Sequence, residues 1–520
     1  MVIEKIKIIN FKKFYGENNI VCNNDFNIII GNNEAGKSSV LLALDLILSG
    51  SQNKIESIGL ENLFNSKIID EFMKSNRDIT KLPQLIIELY LNDTGKPELN
   101  GNNNQEKIVT DGISLKIIPD DEYLNVIDEC LKKENAVFPF EYYKCVFKKF
   151  SNESYNNYKK PIRHIIIDSS NISNEYHMKD YISTLYSSYT NEAEKNLYNN
   201  EFRKMKKDFE TNNFSDLNGK VSDIDFGLTT NNKYSLENNL TIYEKGISIY
   251  NRGYGTQCML KIKTSINRQA ENIDLILIEE PENHLSDSNM KKMLQDIMES
   301  NNKQMFITTH NSMICSRLNL KKIIALNEEN IVTTEFNSIS EDTANFFIKC
   351  PSNTILNFIL SNKVILVEGA AEYILLEKLY ELHTKNNPHL DNVNIISVNG
   401  LSFERYLEVA QKLKIKTVVI TDNDRDYDEH IVKKYEDYKK ENINIFSDSD
   451  NEKYTFEVCL YNGNAKYLEK HNITKSKDIL KFMLNNKAES AYRLLEELEK
   501  DSTDFEIPQY IKDAIEWIKN

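Results

Sequence analysis

Three sets of residues have the types and spacing to do chemistry. The first is Gly31-Asn32-Asn33-Glu34-Ala35-Gly36-Lys37-Ser38, two glycines with four residues between them followed by Lys-Ser, with Ser39 next in line. That is the phosphate-loop pattern. The glycines let backbone N–H groups curl toward phosphate oxygens, and the following helix offers its positive end. Lys37 can then reach the β- and γ-phosphates, and the Ser38 hydroxyl can ligate magnesium. The second set lies far downstream, where DLILIEEPEN (Asp274–Asn283) ends a buried strand in paired carboxylates. ATP hydrolysis needs one acid to hold magnesium and another to orient or deprotonate water, so Glu279 is assigned the first role and Glu280 the second. His310, after the strand Met305–Thr308, is placed to sense the γ-phosphate. Gly253 and Gly255, ahead of the helix Cys258–Ile266, suit a helix start that closes over the phosphates of a second subunit.

The third set is separate. Lys363–Val367 (KVILV) reads as a buried strand ending in Glu368-Gly369, and Thr417–Thr421 (TVVIT) as another ending in Asp422-Asn423-Asp424-Arg425-Asp426. With Val393–Val398 and the intervening helix Tyr373–Leu382, this is an alternating α/β pattern, which implies a parallel sheet whose strand C-termini meet in one crevice. Glu368, Asp422 and Asp424 would converge there. Their mutual repulsion is relieved by hard cations such as Mg²⁺ or Mn²⁺, and such a site can clamp the attacking and leaving oxygens of a phosphodiester.

The surrounding chain must position these groups. At 520 residues it exceeds one ordinary domain. The net charge of −15 excludes a basic nucleic-acid coat over the whole surface, leaving only a local basic face. Seven scattered cysteines without a C-x-x-C pair argue against a zinc or disulfide framework and fit a reducing cytoplasm. The N-terminus lacks a signal-peptide core, and no apolar run reaches the roughly 20 residues of a membrane span. Strands are expected over Val2–Ile9, Ile20–Val21, Gln84–Leu91, Ile113–Ile118 and Arg163–Asp168. Residues 100–104 read as an exposed Asn-rich loop. From Tyr176 to Phe209 the chain reads as a helical insertion, serving dimer contacts or forming a solvated arm. A helical connector follows over Asp342–Leu360.

Phosphate loop, glycine-rich helix start, Glu-Glu strand and terminal histidine, in this order, together with FKKFYGE near the N-terminus, resemble the ABC-type ATPase heads of the SMC kind. Glutamate-glycine and Asp-x-Asp on successive strands resemble the Toprim signature. A head followed directly by Toprim is similar to the OLD family of ATP-dependent endonucleases and to the nuclease subunits of Gabija phage defence. The resemblance implies an α/β fold in two parts. An ABC/SMC-like ATPase domain spans 1–340 with a helical dimerisation insert at about 170–225, and a Toprim nuclease domain with C-terminal helices spans 341–520. Residue by residue, it implies Glu368 as metal ligand or acid/base, Glu372 as the second acid of V-E-G-x-x-E, and Asp422 and Asp424 as the metal-binding pair. It adds Asp426 as a supporting acid, Glu457 as the later acid, and Lys487 as the cation that stabilises the scissile phosphate.

The expected activity is therefore metal-dependent DNA cleavage controlled by ATP, in a homodimer or tetramer, serving anti-phage defence with or without a UvrD-like helicase partner. Two other readings compete: an SMC-like DNA-repair ATPase with a vestigial Toprim unit, and a topoisomerase-like enzyme.

Overall fold

The run Ile28-Ile29-Ile30 is β-branched and wholly buried, and it sets the direction of the sheet on which the phosphate loop is mounted. A computed structural model describes residues 1–169, 175–229, 236–266, 273–300, 303–326, 331–332, 336–350, 354–400 and 402–520. It divides into two units, Met1–His310 with Lys322–Thr333, and Asn311–Lys321 with Thr334–Asn520. No helix among the described residues is long and apolar enough to cross a membrane.

In the first unit, β1 (Ile3–Phe11) and β2 (Phe14–Val21) form an antiparallel pair. Strand β3 (Phe26–Gly31) leads through the phosphate loop into the helix Lys37–Ser49. Strands β4 (Leu85–Leu91), β5 (Asn100–Gly101), β6 (Thr110–Pro119) and β7 (Tyr143–Lys149) return to the first pair, giving an antiparallel sheet ordered β2-β1-β4-β6-β5 with β7 also on β6. The Asn-rich stretch is thus partly structured: Asn100 and Gly101 pair with β6, and Asn104 is fully buried, donating to the Ile108 carbonyl. Its amide closes the turn from inside, which composition alone does not reveal.

Strand β8 (His164–Asp168) begins a second sheet, and β9 (Tyr243–Glu244) and β10 (Ile247–Ser248) make a short hairpin. With β11 (Leu275–Glu279), β12 (Gln304–Thr308), β13 (Ile323–Leu326) and β14 (Ile331–Val332) the second sheet is ordered β14-β13-β3-β12-β11-β8, parallel throughout except for β14. Helix Lys37–Ser49 packs against both sheets within one core, so the loop before it is fixed from two sides. Because β3, β12 and β11 are parallel neighbours, the phosphate loop, His310 and the Glu279-Glu280 pair leave the sheet at the same edge.

The expected helical insertion is two helices, Glu175–Tyr189 and Glu192–Asn213. Asn191 breaks the run: its side chain accepts from Glu194 N while Glu194 accepts from Asn191 N, a capping box that starts the second helix afresh. Residues 170–174 of the expected insertion and 351–353 of the expected connector lie outside the described residues.

The second unit is built on β15 (Lys363–Val367), β16 (Val393–Ser397), β17 (Lys416–Ile420) and β18 (Ile443–Phe446). They form a fully parallel sheet ordered β16-β15-β17-β18. Strand β18 is an addition to the sequence reading, its INIF too short to stand out. Helix Ala370–Thr384 packs on helix Lys487–Lys500, and the terminal helix Gln509–Lys519 lies on β17 and β18. All three contribute to one apolar core.

A buried ionic tie holds the phosphate-loop helix. Asp45 accepts from His164 Nε2 at 2.9 Å on β8 and pairs with Lys54 Nζ at 2.6 Å. Burial alone would raise the Asp45 carboxyl, but the His164 hydrogen bond and the Lys54 charge outweigh it and hold the group well below the usual carboxylate range. Such a group contributes stability above its unfolded pKa of about 3.9, and that contribution is lost as pH falls toward the depressed folded value. Asp45→Asn should therefore lower stability by about 3 kcal/mol at pH 7, with the gap from wild type closing below about pH 4, as read by urea unfolding across pH.

Candidate active sites

The phosphate loop is shaped as its glycines require. Gly36 has φ of 104°, and a Cβ on Gly31 would stand 2.6 Å from the Leu326 carbonyl oxygen. Lys37 is buried, and its Nζ donates to the Gly31 and Asn32 carbonyls at 3.0 and 3.1 Å, folding back over the loop where a phosphate would sit. Burial lowers its pKa, opposed by the charges of Glu280, Glu282 and Glu279. A pocket of about 240 Å³ is lined by Asn33, Glu34, Gly36, Lys37, Ser38 and Ser39 of the loop together with Lys13, Glu280 and His310.

Glu279 stands against the Ser38 hydroxyl, and burial raises its pKa more than that hydrogen bond lowers it. A serine hydroxyl beside a carboxylate is a hard-oxygen pair suited to magnesium. Glu280 sits in left-handed backbone (φ 45°), its carboxylate accepting from Asn283 at 3.0 Å with His310 Nε2 3.5 Å away. Thus the loop, Glu280 and His310 share one pocket. Gly253 and Gly255 are not part of its lining; a Cβ on Gly255 would meet the His284 carbonyl oxygen at 2.4 Å, so that glycine serves a close backbone approach.

Two residues here escaped the sequence reading. Lys13, in the turn between β1 and β2, comes to the pocket through sheet packing, which local pattern does not encode. Glu282 accepts from Thr309 Oγ1 and from His310 N, both at 2.7 Å, and so pins the end of β12 to the turn after β11. Its place in Pro281-Glu282-Asn283, directly after the acidic pair, was the available signal.

The second site lies at the C-terminal edge of the β15/β17 pair. Asp422 follows β17, and its Oδ1 accepts from Phe456 N at 2.8 Å, at the start of helix Phe456–Lys470. That helix start also carries Glu457, whose two carboxylate oxygens are buried without a well-formed hydrogen bond. Lys487 Nζ stands 3.2 Å from Glu457 and 4.0 Å from Asp422. Glu372 is buried and accepts from Gly369 N at 3.2 Å. Glu368, exposed at the mouth, is joined through its carbonyl to Gly400 N, which ties the ends of β15 and β16.

Electrostatics mark the cluster. Burial first, then the charges of Glu368, Glu372 and Glu457, push the Asp422 carboxyl up to about 8 despite Lys487. Glu372 is raised by burial, Glu457 and Glu368 in turn. Lys487 rises because Glu457 and Asp422 outweigh its own desolvation. Two raised carboxyls, Asp422 and Glu372, beside buried Glu457 with its one lysine contact offer the hard oxygens that a divalent cation takes. Among the described residues, however, no three carboxylate, histidine or cysteine side chains stand close enough together to cage an ion by themselves. In the loop after β17, Asp424 N donates to the Tyr454 carbonyl, and the Asp426 carboxylate caps the next turn by accepting from Glu429 N.

Sequence comparison places both halves. Residues 1–315 match the AAA ATPase domain family, and residues 359–424 match the Toprim domain of the overcoming-lysogenization-defect-protein-like family. The chain belongs to the AAA ATPase domain family and carries an OLD-like Toprim domain behind the ATPase. It is similar to Endonuclease GajA of Bacillus cereus strain HuB5-5, 23% identical over 90% of this chain and 82% of that protein. It is also similar to Endonuclease GajA of strain VD045, 27% identical over 30% of this chain and 27% of that one. A solved SMC head bound to the C-winged helix domain of ScpA aligns at 15% identity with a TM-score of 0.35, over 64% of this chain and 98% of that one.

The raised Asp422 gives a stability test. Its folded pKa lies above the unfolded value of about 3.9, so the metal-free protein loses stability as pH rises from about 4 to 8. Asn cannot ionise, yet its Oδ1 can still accept from Phe456 N. In EDTA at pH 8, Asp422→Asn should therefore melt at a higher temperature than wild type, with the difference vanishing near pH 4.

Proposed function

We propose that the chain is an ATP-binding, divalent-metal-dependent DNA endonuclease of anti-phage defence, acting in the cytoplasm as a homodimer or tetramer. One observation carries the reading: half-buried Asp422 and buried Glu372 and Glu457 gather around Lys487 at the open edge of a parallel sheet. Likeness to the curated endonucleases supports the choice of DNA as substrate.

Asp422, Glu457, Glu372 and Glu368 would hold the metal, with Asp424 and Asp426 supporting from the loop. Magnesium or manganese, when bound, supplies charge to the scissile phosphate and lowers the pKa of the attacking water. Lys487 faces the same group and can neutralise charge that builds on the phosphate oxygens. Glu368, exposed at the strand end, would serve either as one of these ligands or as the group that accepts a proton from water.

In the ATPase part, Ser38 and Glu279 would hold the nucleotide's magnesium, Lys37 would exchange its loop carbonyls for phosphate oxygens, and Glu280 would orient water with His310 beside it. Gly253 and Gly255, outside this pocket, are assigned to the phosphates of a second protomer. A UvrD-like helicase is the partner the same reading allows.

The test is supercoiled plasmid incubated with Mg²⁺ or Mn²⁺ across ATP concentrations, using wild type, Glu368→Ala and Lys37→Ala. Wild type should nick or linearise the plasmid, Glu368→Ala should lose cleavage at least 100-fold, and Lys37→Ala should cleave with an altered response to ATP. Intact plasmid with wild type while ATP is hydrolysed would favour an ATPase with a vestigial Toprim unit; religated topoisomers or protein–DNA adducts would favour a topoisomerase.

A further inference from the structure

Beside the carboxylate cluster the backbone adopts an unusual course. Asp424 and Arg425 both have left-handed φ values, 48° and 71°, and the chain then enters a π-helical turn over Asp428–Lys433. Consecutive non-glycine residues in that region persist only where surrounding contacts impose them, and such strain gathers at functional sites. Here the imposing residue is Asn423. It is 1% exposed; its Nδ2 reaches the Asp448, Asp450 and Lys453 carbonyls at 2.7, 3.0 and 3.4 Å, and its Oδ1 accepts from Arg425 N at 2.9 Å. Asn451 adds a bond from Tyr427 N. The loop after β17 is thereby locked to the loop after β18.

The lock presents Arg425. Its guanidinium lies over the Tyr454 ring, 4.1 Å from the centroid, and its side chain is exposed. Among the described residues it makes no ion pair, although Asp424 and Asp426 flank it in sequence and the chain carries a net charge of −15. A guanidinium over a ring face can still offer its planar fork of N–H donors to a bidentate acceptor, and phosphate is an acceptor that fits that fork.

We infer that Arg425, held over the Tyr454 ring beside the Asn423 lock, binds a phosphate of the DNA strand beside the scissile bond. The inference rests on the nuclease reading above. It makes Arg425 a substrate-binding residue that offsets the repulsion a polyanion meets on approaching a carboxylate cluster.

The test uses the full chain and a fluorescein-labelled DNA duplex in EDTA, with Kd measured from 50 to 300 mM KCl for wild type, Arg425→Ala, Arg425→Gln and Arg425→Lys. One phosphate contact contributes close to one unit to the slope of log K against log salt. Arg425→Ala and Arg425→Gln should weaken binding about tenfold at 100 mM KCl and reduce the slope by about one, while Arg425→Lys should keep the slope but recover only part of the affinity. Gln preserves a planar side chain for stacking, so loss in both neutral variants with unchanged melting temperature assigns the effect to charge. Wild-type binding with equal Kd and slope in both neutral variants overturns this inference and leaves the nuclease reading standing. A wild-type chain that neither binds nor cuts DNA overturns both.

Discussion

Repulsion among carboxylates in a poorly hydrated place is the constraint on which the second unit depends. Parallel strands carry their C-terminal residues to one edge, and here that edge receives Glu368 from β15 and Asp422 from β17, while a helix start adds Glu457. Lys487 faces half-buried Asp422 and buried Glu372 and Glu457, and burial together with the neighbouring carboxylates still raises the Asp422 carboxyl. For stability alone, well-packed apolar groups of similar volume in these places are often neutral or stabilising. Keeping them has a cost that a bound cation and a phosphodiester can offset.

The ATPase unit solves the opposite problem. There one buried lysine lies near Glu279, Glu280 and Glu282, and it remains with its own loop carbonyls. Phosphates would meet preformed N–H groups, a lysine that need only turn, and a serine already against its carboxylate. The rigidity behind this comes from helix Lys37–Ser49, sandwiched between two sheets and tied through Asp45 to β8. Both units therefore place polar groups at strand ends and use the apolar interior only to fix where those ends fall.

Much of this was legible in the sequence because the chemistry sits beside strong local signals. Ile28–Ile30, Leu275–Ile278, Lys363–Val367 and Thr417–Ile420 are apolar runs too short for membrane spans and bounded by glycine or acids, so strands and their terminal residues could be read together. What escaped was set by distant packing. Lys13 reaches the phosphate pocket through a hairpin turn, Asn104 is buried by its own turn, and Asn423 is an ordinary loop residue until the loop after β18 lies against it. Lys487 and Glu457 stood between these cases: neither has a local signature, and only family resemblance drew attention to them before the fold brought them 3.2 Å apart.

The central claim is that the carboxylate edge takes up a divalent cation in place of protons. Calorimetric titration of Mn²⁺ into the full chain at pH 7, repeated in buffers of different ionisation enthalpy, measures binding and proton release together. The account predicts saturable binding with release of about one proton, lost or weakened at least tenfold in Asp422→Asn. Absence of Mn²⁺ binding at millimolar concentration, or binding that Asp422→Asn leaves unchanged, would contradict it.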